Sequence, residues 1–367
     1  MSNSQNFTGR PVKAVIDRSA FKHNIQVVQT LAPNSKVLVV IKADAYGHGL
    51  IEMARVVDEL SGLAVATAEE AQLLIEAGIK NTIWVLEGPF SVQCLALSTL
   101  HPIVWVLHSA WQLPLFGTFQ SEKSFNVCLK IDTGMHRLGF PLDSVAEALK
   151  EINKLECIHL QACMSHFLSS DQENSDLVSQ QAALFNDVLS ANALESLPQT
   201  LANSGAILFY PETHCEWVRP GIMLYGGMPD PSQLAQDRHL RPVMRFESAV
   251  MSLRHILKGE PVGYGAAWVA ERDSVIAIVA GGYGDGYPRQ APNGTPLVVA
   301  GQIASLAGRV SMDMLAIDVT DLKGVKVGDP VEFWGKYVSV DQVAELSGTI
   351  SYELLTGVTA RVPRVYK

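Results

Sequence analysis

Between residues 12 and 238, short runs that are apolar on both faces alternate with helical patterns, and few folds accept that arrangement. VKAVID (12–17), KVLVVIK (36–42), LAVAT (63–67), TIWVL (82–86), PIVWVL (102–107), FNVCLKID (125–132), CIHLQACMSHF (157–167), QTLANS (199–204) and EWVRPGIMLYG (216–226) read as strands. A strand without polar alternation needs cover on both faces, which crossover helices give to a parallel sheet. The helical segments carry their own punctuation. Ser19 reads as the cap of the first helix, Gly78 as the residue just past AEEAQLLIEA, and Ser144 with Glu147 as a capping box. A long helix is expected over roughly 173–196. Eight or so such units in ~225 residues fit an α/β fold of the (β/α)8, TIM-like barrel type, typically ~250 residues long. An open doubly wound sheet is the alternative.

After about residue 240 the texture changes. FESAVMSLRHIL, SVIAIVAGG, TPLVVAGQIASLAGRV, MLAIDV and PVEFWG are short strands between Gly, Pro and Asp turns, with one short helix at about 340–347. This pattern predicts a mostly antiparallel β domain. The expected division is a barrel over 12–238 and a β-rich domain over 239–367.

Composition excludes several classes. Lys and Arg number 28 against 37 Asp and Glu, a net charge of −9, which argues against a nucleic-acid or anionic-membrane partner. Residues 88–121 lack Asp, Glu, Lys and Arg, but Pro89, Pro102 and Pro114 break them into pieces too short to span a membrane. Five cysteines, none at CxxC spacing, point to free thiols rather than a disulfide framework or a zinc ribbon. The N-terminus has no apolar signal segment, so a cytoplasmic location is expected. No histidine pair has HExxH spacing, and no metal site is expected.

Within VLVVIKADAYGHG (37–49), Lys42 stands at the C-terminal end of an apolar strand, where barrels place catalytic groups. Burial disfavours its ammonium, and a neutral amine is what an aldehyde requires. In KIDTG (130–134), Lys130 and Asp132 fall on one strand face. Lys130 close to Arg137 is a like-charge conflict unless an anion intervenes. The turns NSG (203–205) and RPG (219–221) expose backbone N–H groups that suit a phosphate. GGYGDGYP (281–288) lacks the βα context of a dinucleotide fingerprint.

Together with VGYGAAW (262–268), AGRVSMD (307–313), VGDPVEFWG (327–335) and ISYELLTGVTARVPRVY (350–366), these segments resemble the alanine racemases, a pyridoxal-phosphate family. The resemblance runs in family order over nearly the whole chain. It implies a cofactor, pyridoxal 5'-phosphate, a head-to-tail homodimer, and residues 1–11 joined to the C-terminal domain. Lys42 resembles the lysine that carries the cofactor and acts as base toward D-alanine. Tyr264 resembles the opposing base for L-alanine, supplied by the second subunit. Arg219 resembles the arginine facing the pyridine nitrogen, and His166 the residue bonded to that arginine. Tyr46, Ser204, Gly221, Ile222 and Tyr352 resemble phosphate contacts. Arg137, Met312 and Asp313 fall at the substrate, and Lys130 matches a lysine that can be carbamylated. Asp171, Arg289 and Arg309 match an entrance corridor.

The implied reaction interconverts L- and D-alanine and supplies D-alanine for peptidoglycan. A broader-specificity amino-acid racemase and a decarboxylase of basic amino acids share the architecture. A third reading, a non-catalytic cofactor carrier, has no use for the β domain or for Tyr264.

Overall fold

The computed structural model describes residues 9–119, 124–230, 232–233 and 235–367. The chain divides into two compact units, residues 22–224 and residues 1–21 with 225–367. Of the N-terminal stretch expected to join the C-terminal domain, residues 1–8 lie outside the described residues.

The first strand, β1 (Lys13–Ile16), corrects an expectation. It pairs antiparallel with Met244–Ile256 and parallel with Arg364–Tyr366, so it belongs to the C-terminal sheet and not to the barrel. A four-residue apolar strand does not encode its partner, and here both partners lie more than two hundred residues away. The helix after it corrects a second one. Asp17, not Ser19, supplies the capping oxygen, which accepts from the backbone N–H of Ser19 and Ala20 at 2.9 and 3.0 Å.

The barrel is built from β2 (Lys36–Val40), β3 (Gly62–Val65), β4 (Ile83–Val85), β5 (Ile103–Leu107), β6 (Phe125–Asp132), β8 (Ile158–Met164), β9 (Gln199–Asn203) and β10 (Trp217–Arg219). A two-residue strand, β7 (Phe140–Pro141), pairs with the end of β6. The eight main strands pair in parallel in sequence order. The β10–β2 pairing closes the ring. β3, β4 and β5 are buried at every residue, as their unbroken apolar runs require. The helices Ala68–Glu76, Val145–Asn153 and Asp176–Ala191 lie between strands. Ser144 does not form the expected capping box. It ends a 3₁₀ turn, and its hydroxyl donates to Pro141 O at 2.9 Å. Parallel strands share one direction, so their C-terminal ends form one rim.

The other unit is an antiparallel ring. β11 (Met244–Ile256) pairs with β14 (Ser274–Ala280). The chain of neighbours β17 (Met314–Asp318), β16 (Gln302–Leu306), β15 (Pro296–Val299) and β18 (Pro330–Trp334) leads back to β11. The short strands β12 (Pro261–Val262) and β13 (Trp268–Val269) form a hairpin, and β19 (Arg364–Tyr366) flanks β1. Phe246 packs edge-on against Phe333 at 4.8 Å between ring centroids, at the heart of this unit. The expected helix is present at Val340–Leu346, capped by Ser339. A second helix, Ser351–Gly357, was not expected, because Leu354 and Leu355 in SYELLTG, with Ile350 before it, are too few to set a period.

Candidate active site

Five strand ends of the barrel unit deliver the expected residues to the same rim. Lys42 follows β2 by two residues, Lys130 lies in β6 and Arg137 in the loop after it. His166 follows β8 by two, Ser204 follows β9 directly, and Arg219 ends β10, with Gly221 and Ile222 next. The five strand ends are far apart in sequence. The barrel closure brings them together.

Arg219 is buried, and its guanidinium donates to Thr200 Oγ1 at 2.7 Å, Ser165 O at 2.6 Å and Leu201 O at 3.1 Å. It also donates to His166 Nδ1 at 3.5 Å, which leaves the imidazole proton on Nε2. No carboxylate pairs with Arg219 among the described residues. Burial lowers its pKa to about 10, so it remains a cation near neutrality. The same surroundings keep His166 neutral. Burial first, then Arg219, Lys130, Arg137 and Lys42 hold its pKa well below the ordinary imidazole value.

The two lysines are pushed toward their neutral forms. For Lys42 the causes are burial and then the nearby Arg137, partly offset by Glu87 and Glu70. Lys130 falls to about 8 through burial, then Arg219 and Arg137. Asp132, expected on the same face, does not compensate Lys130. Its carboxylate accepts from the N–H groups of Gly134 and His136 at 2.9 and 3.1 Å and so serves the turn. The rim is therefore rich in cations and short of anions.

Lys42 leads into an unusual backbone. Ala43, Asp44, Ala45 and Tyr46 all have φ between 52° and 54°, a left-handed turn. Such residues cost roughly 1–2 kcal/mol each unless surroundings hold them, and such strain gathers at functional sites. Asp44 Oδ1 accepts from Leu50 N at 2.7 Å, and His48 Nδ1 meets Tyr46 O at 2.8 Å. The turn buries Tyr46, whose hydroxyl pKa is raised by burial. A Cβ on Gly221 would stand 2.5 Å from that hydroxyl, so any larger residue would have to displace Tyr46. Ser204 Oγ accepts from Gly221 N at 2.8 Å and Met223 N at 3.4 Å. Tyr46, Ser204 and Gly221 thus form one small polar cradle.

Of the remaining expected residues, Asp171 lies in the barrel unit, and Tyr264, Arg289, Arg309, Met312, Asp313 and Tyr352 lie in the other unit. Tyr264 opens a 3₁₀ turn between Gly263 and Gly265, whose φ values are 72° and 70°, and is 69% exposed. Arg309 runs along this turn, with its guanidinium 3.6 Å from where a Gly265 Cβ would be. Met312 and Asp313 precede β17. Asp313 is held by Arg361 at 2.5 Å, and Arg361 and Arg10 both bind the buried Asp285 at 2.7 Å. Tyr352 lies on the helix Ser351–Gly357.

Sequence reasoning missed several supporting groups. Thr200 and Ser165 hold Arg219, and Glu70 bonds the backbone of the Lys42 turn. Ser165 acts through its backbone carbonyl, which no residue type signals, and Thr200 lies on a different strand from Arg219, so neither was legible. For Glu70, within an amphipathic helix, no signal existed either.

The family description "Alanine racemase, N-terminal domain" matches residues 16–229, and "Alanine racemase, C-terminal domain" matches residues 243–366. The alanine racemase of Hahella chejuensis is 43% identical, covering 97% of this chain and 98% of that protein. The catabolic alanine racemase of Pseudomonas putida is 45% identical, covering 97% of this chain and 99% of that one. The crystal structure of the biosynthetic alanine racemase from Pseudomonas aeruginosa superimposes with a TM-score of 0.93 at 43% identity, covering 98% of this chain and all of that one.

Proposed function

The chain belongs to the alanine racemase family and interconverts L- and D-alanine, and we propose that it does so with pyridoxal 5'-phosphate on Lys42 and with Lys42 and Tyr264 as opposed bases. The observation that carries this reading is the anion-poor rim of Lys42, Lys130, Arg137 and Arg219, set beside the Tyr46–Ser204–Gly221 cradle. These residues fit a phosphorylated aldehyde. Among the described residues these cations form no ion pair with a carboxylate, the glycine leaves room, and the Lys42 amine is biased toward its nucleophilic form. When bound, the cofactor supplies a carbonyl for the amine and an electron sink for the bond to be broken.

Tyr46, Ser204, Gly221, Ile222 and Tyr352 hold the phosphate in this reading. Arg219 can only donate, so it can hold the ring nitrogen as an acceptor but cannot draw a proton onto it as a carboxylate would. With pyridoxal phosphate bound, such a contact would limit the electron withdrawal the ring could supply. A decarboxylase would need the stronger sink, and the group this reading assigns to the ring nitrogen is Arg219, not an acid. His166 stays neutral beside Arg219 and positions it without adding charge.

Lys42 takes or returns the Cα proton on one face as base toward D-alanine. Tyr264 serves the other face, because racemisation removes a proton on one side and returns it on the opposite side. With Tyr264 so exposed in one chain, a second copy is the proposed recipient of its hydroxyl, in a head-to-tail homodimer. Arg309 lies along the turn that carries Tyr264. Arg137, Met312 and Asp313 hold the substrate carboxylate side. Lys130, once its ammonium has lost a proton, attacks carbon dioxide through the neutral amine and loses a second proton as the N–C bond forms, which converts a cation into a carbamate anion. No helix among the described residues is long and apolar enough to cross a membrane. A cytoplasmic enzyme supplying D-alanine to peptidoglycan precursors completes the proposal.

The test is to load purified protein with pyridoxal phosphate, reduce it with borohydride and map the label, while following L-alanine by chiral chromatography. The label is expected on Lys42 and the alanine at racemic equilibrium. Fully loaded protein that leaves L-alanine unchanged would defeat the reading.

A further inference from the structure

Glu70 sits on the helix Ala68–Glu76 that follows β3, yet its carboxylate is committed to the loop after β2. Oε1 accepts from Ala43 N at 2.6 Å and Oε2 from Ala66 N at 2.8 Å. Its own position is fixed by the cap of that helix, where Thr67 Oγ1 accepts from Glu70 N. One side chain therefore bridges the residue next to Lys42 and the end of β3.

The location matters because of what starts there. Ala43 is the first of four consecutive non-glycine residues in the left-handed region. Within the turn, Ala45 N donates back to Ile41 O at 2.8 Å and Gly49 N to Asp44 O at 2.9 Å. The Ala43 N–H lies ahead of those bonds and is taken by Glu70 from another element. If that bond is lost, residue 43 is free to relax toward ordinary right-handed or extended values. Rotation there swings Lys42 on one side and Tyr46 on the other.

We propose that Glu70 is a positioning residue: its carboxylate clamps the left-handed turn at Ala43 and so aims the Lys42 amine and the Tyr46 hydroxyl. The proposal rests on the reading of Lys42 as the cofactor lysine and Tyr46 as a phosphate contact. Electrostatics support it. The charged groups acting on Lys42 are Arg137, which disfavours its ammonium, and Glu87 and Glu70, which favour it. Loss of the Glu70 charge shifts the lysine further toward neutrality.

The experiment compares wild type, E70Q and E70A by hydrogen–deuterium exchange of cofactor-free and loaded protein, with steady-state kinetics on alanine. In E70A the amides of residues 43–50 are expected to exchange faster by about ten- to hundred-fold, as for loss of a bond to a charged acceptor, while β4 and β5 keep their protection. E70Q, isosteric but with only one acceptor oxygen, is expected to fall between the two. The kcat of E70A falls at least about ten-fold with little change in KM, and the lower limb of its pH profile moves to lower pH. Wild-type exchange at 43–50 with wild-type kcat would overturn the proposal. So would protection lost throughout the barrel, since Glu70 would then be a general structural residue. Borohydride mapping of the wild type runs alongside. A label away from Lys42 would overturn the cofactor reading and the aiming of Lys42 with it, while the exchange data would still show whether Glu70 clamps the turn.

Discussion

Replacing Lys130 with methionine removes a buried ammonium and keeps most of its volume. Folding lowers the pKa of this lysine from its ordinary 10.5 to about 8, mainly through burial and then through Arg219 and Arg137. At ~1.4 kcal/mol per pH unit, holding Lys130 charged in the fold costs about 3 kcal/mol. The sign follows from linkage. Below pH ~8 both folded and unfolded chains hold the proton, so the full penalty is present. Between ~8 and ~10.5 the unfolded chain holds more protons, so wild-type stability rises with pH. Above ~10.5 the penalty is gone. K130M should therefore be more stable than wild type by about 3 kcal/mol at pH 7, with the gap closing as pH rises. The assay is urea unfolding of cofactor-free protein in buffers without phosphate or bicarbonate, followed by tryptophan fluorescence. Adding bicarbonate should stabilise wild type alone, because carbamylation removes the charge. No gap at pH 7, or a gap that widens above pH 8, would refute the reasoning.

Other outcomes follow from the same geometry. G221A sets a methyl group 2.5 Å from the Tyr46 hydroxyl and should weaken cofactor binding at least about ten-fold without unfolding the barrel, as read by absorbance titration. R219K cannot reproduce the fork that reaches Thr200, Ser165 and Leu201, and should destabilise the protein by about 2–4 kcal/mol in the same urea assay. A substrate panel should return racemised alanine and no carbon dioxide from lysine, ornithine or diaminopimelate. Expression in a D-alanine auxotroph should restore growth if the chain supplies cell-wall precursors.

The barrel was legible because β3, β4 and β5 are apolar at every position and nothing but a doubly covered sheet accepts such runs. β1 was misplaced because VKAVID looks the same in either sheet, and its pairings to Glu247 and Arg364 are non-local. Ser144 had the spacing of a capping box, but Pro141 drew its hydroxyl into a 3₁₀ turn instead. Lys42 stood out at a strand end by chemistry alone. Tyr264 did not. An exposed tyrosine between two glycines means little by itself, and only the family resemblance gave it a role. The left-handed turn was illegible for a physical reason. Alanine and tyrosine do not favour that region, and a tertiary bond from Glu70, with local bonds from Asp44 and His48, holds it there.

The central claim is that two bases face opposite sides of one carbon. Deuterium wash-in with Y264F in heavy water tests it most directly, since Tyr264 is exposed in the chain and the substitution removes one oxygen. With only the Lys42 face active, D-alanine should exchange its Cα hydrogen with retention, while L-alanine should neither exchange nor racemise. Exchange of both enantiomers, or racemisation at the wild-type rate, would contradict the account.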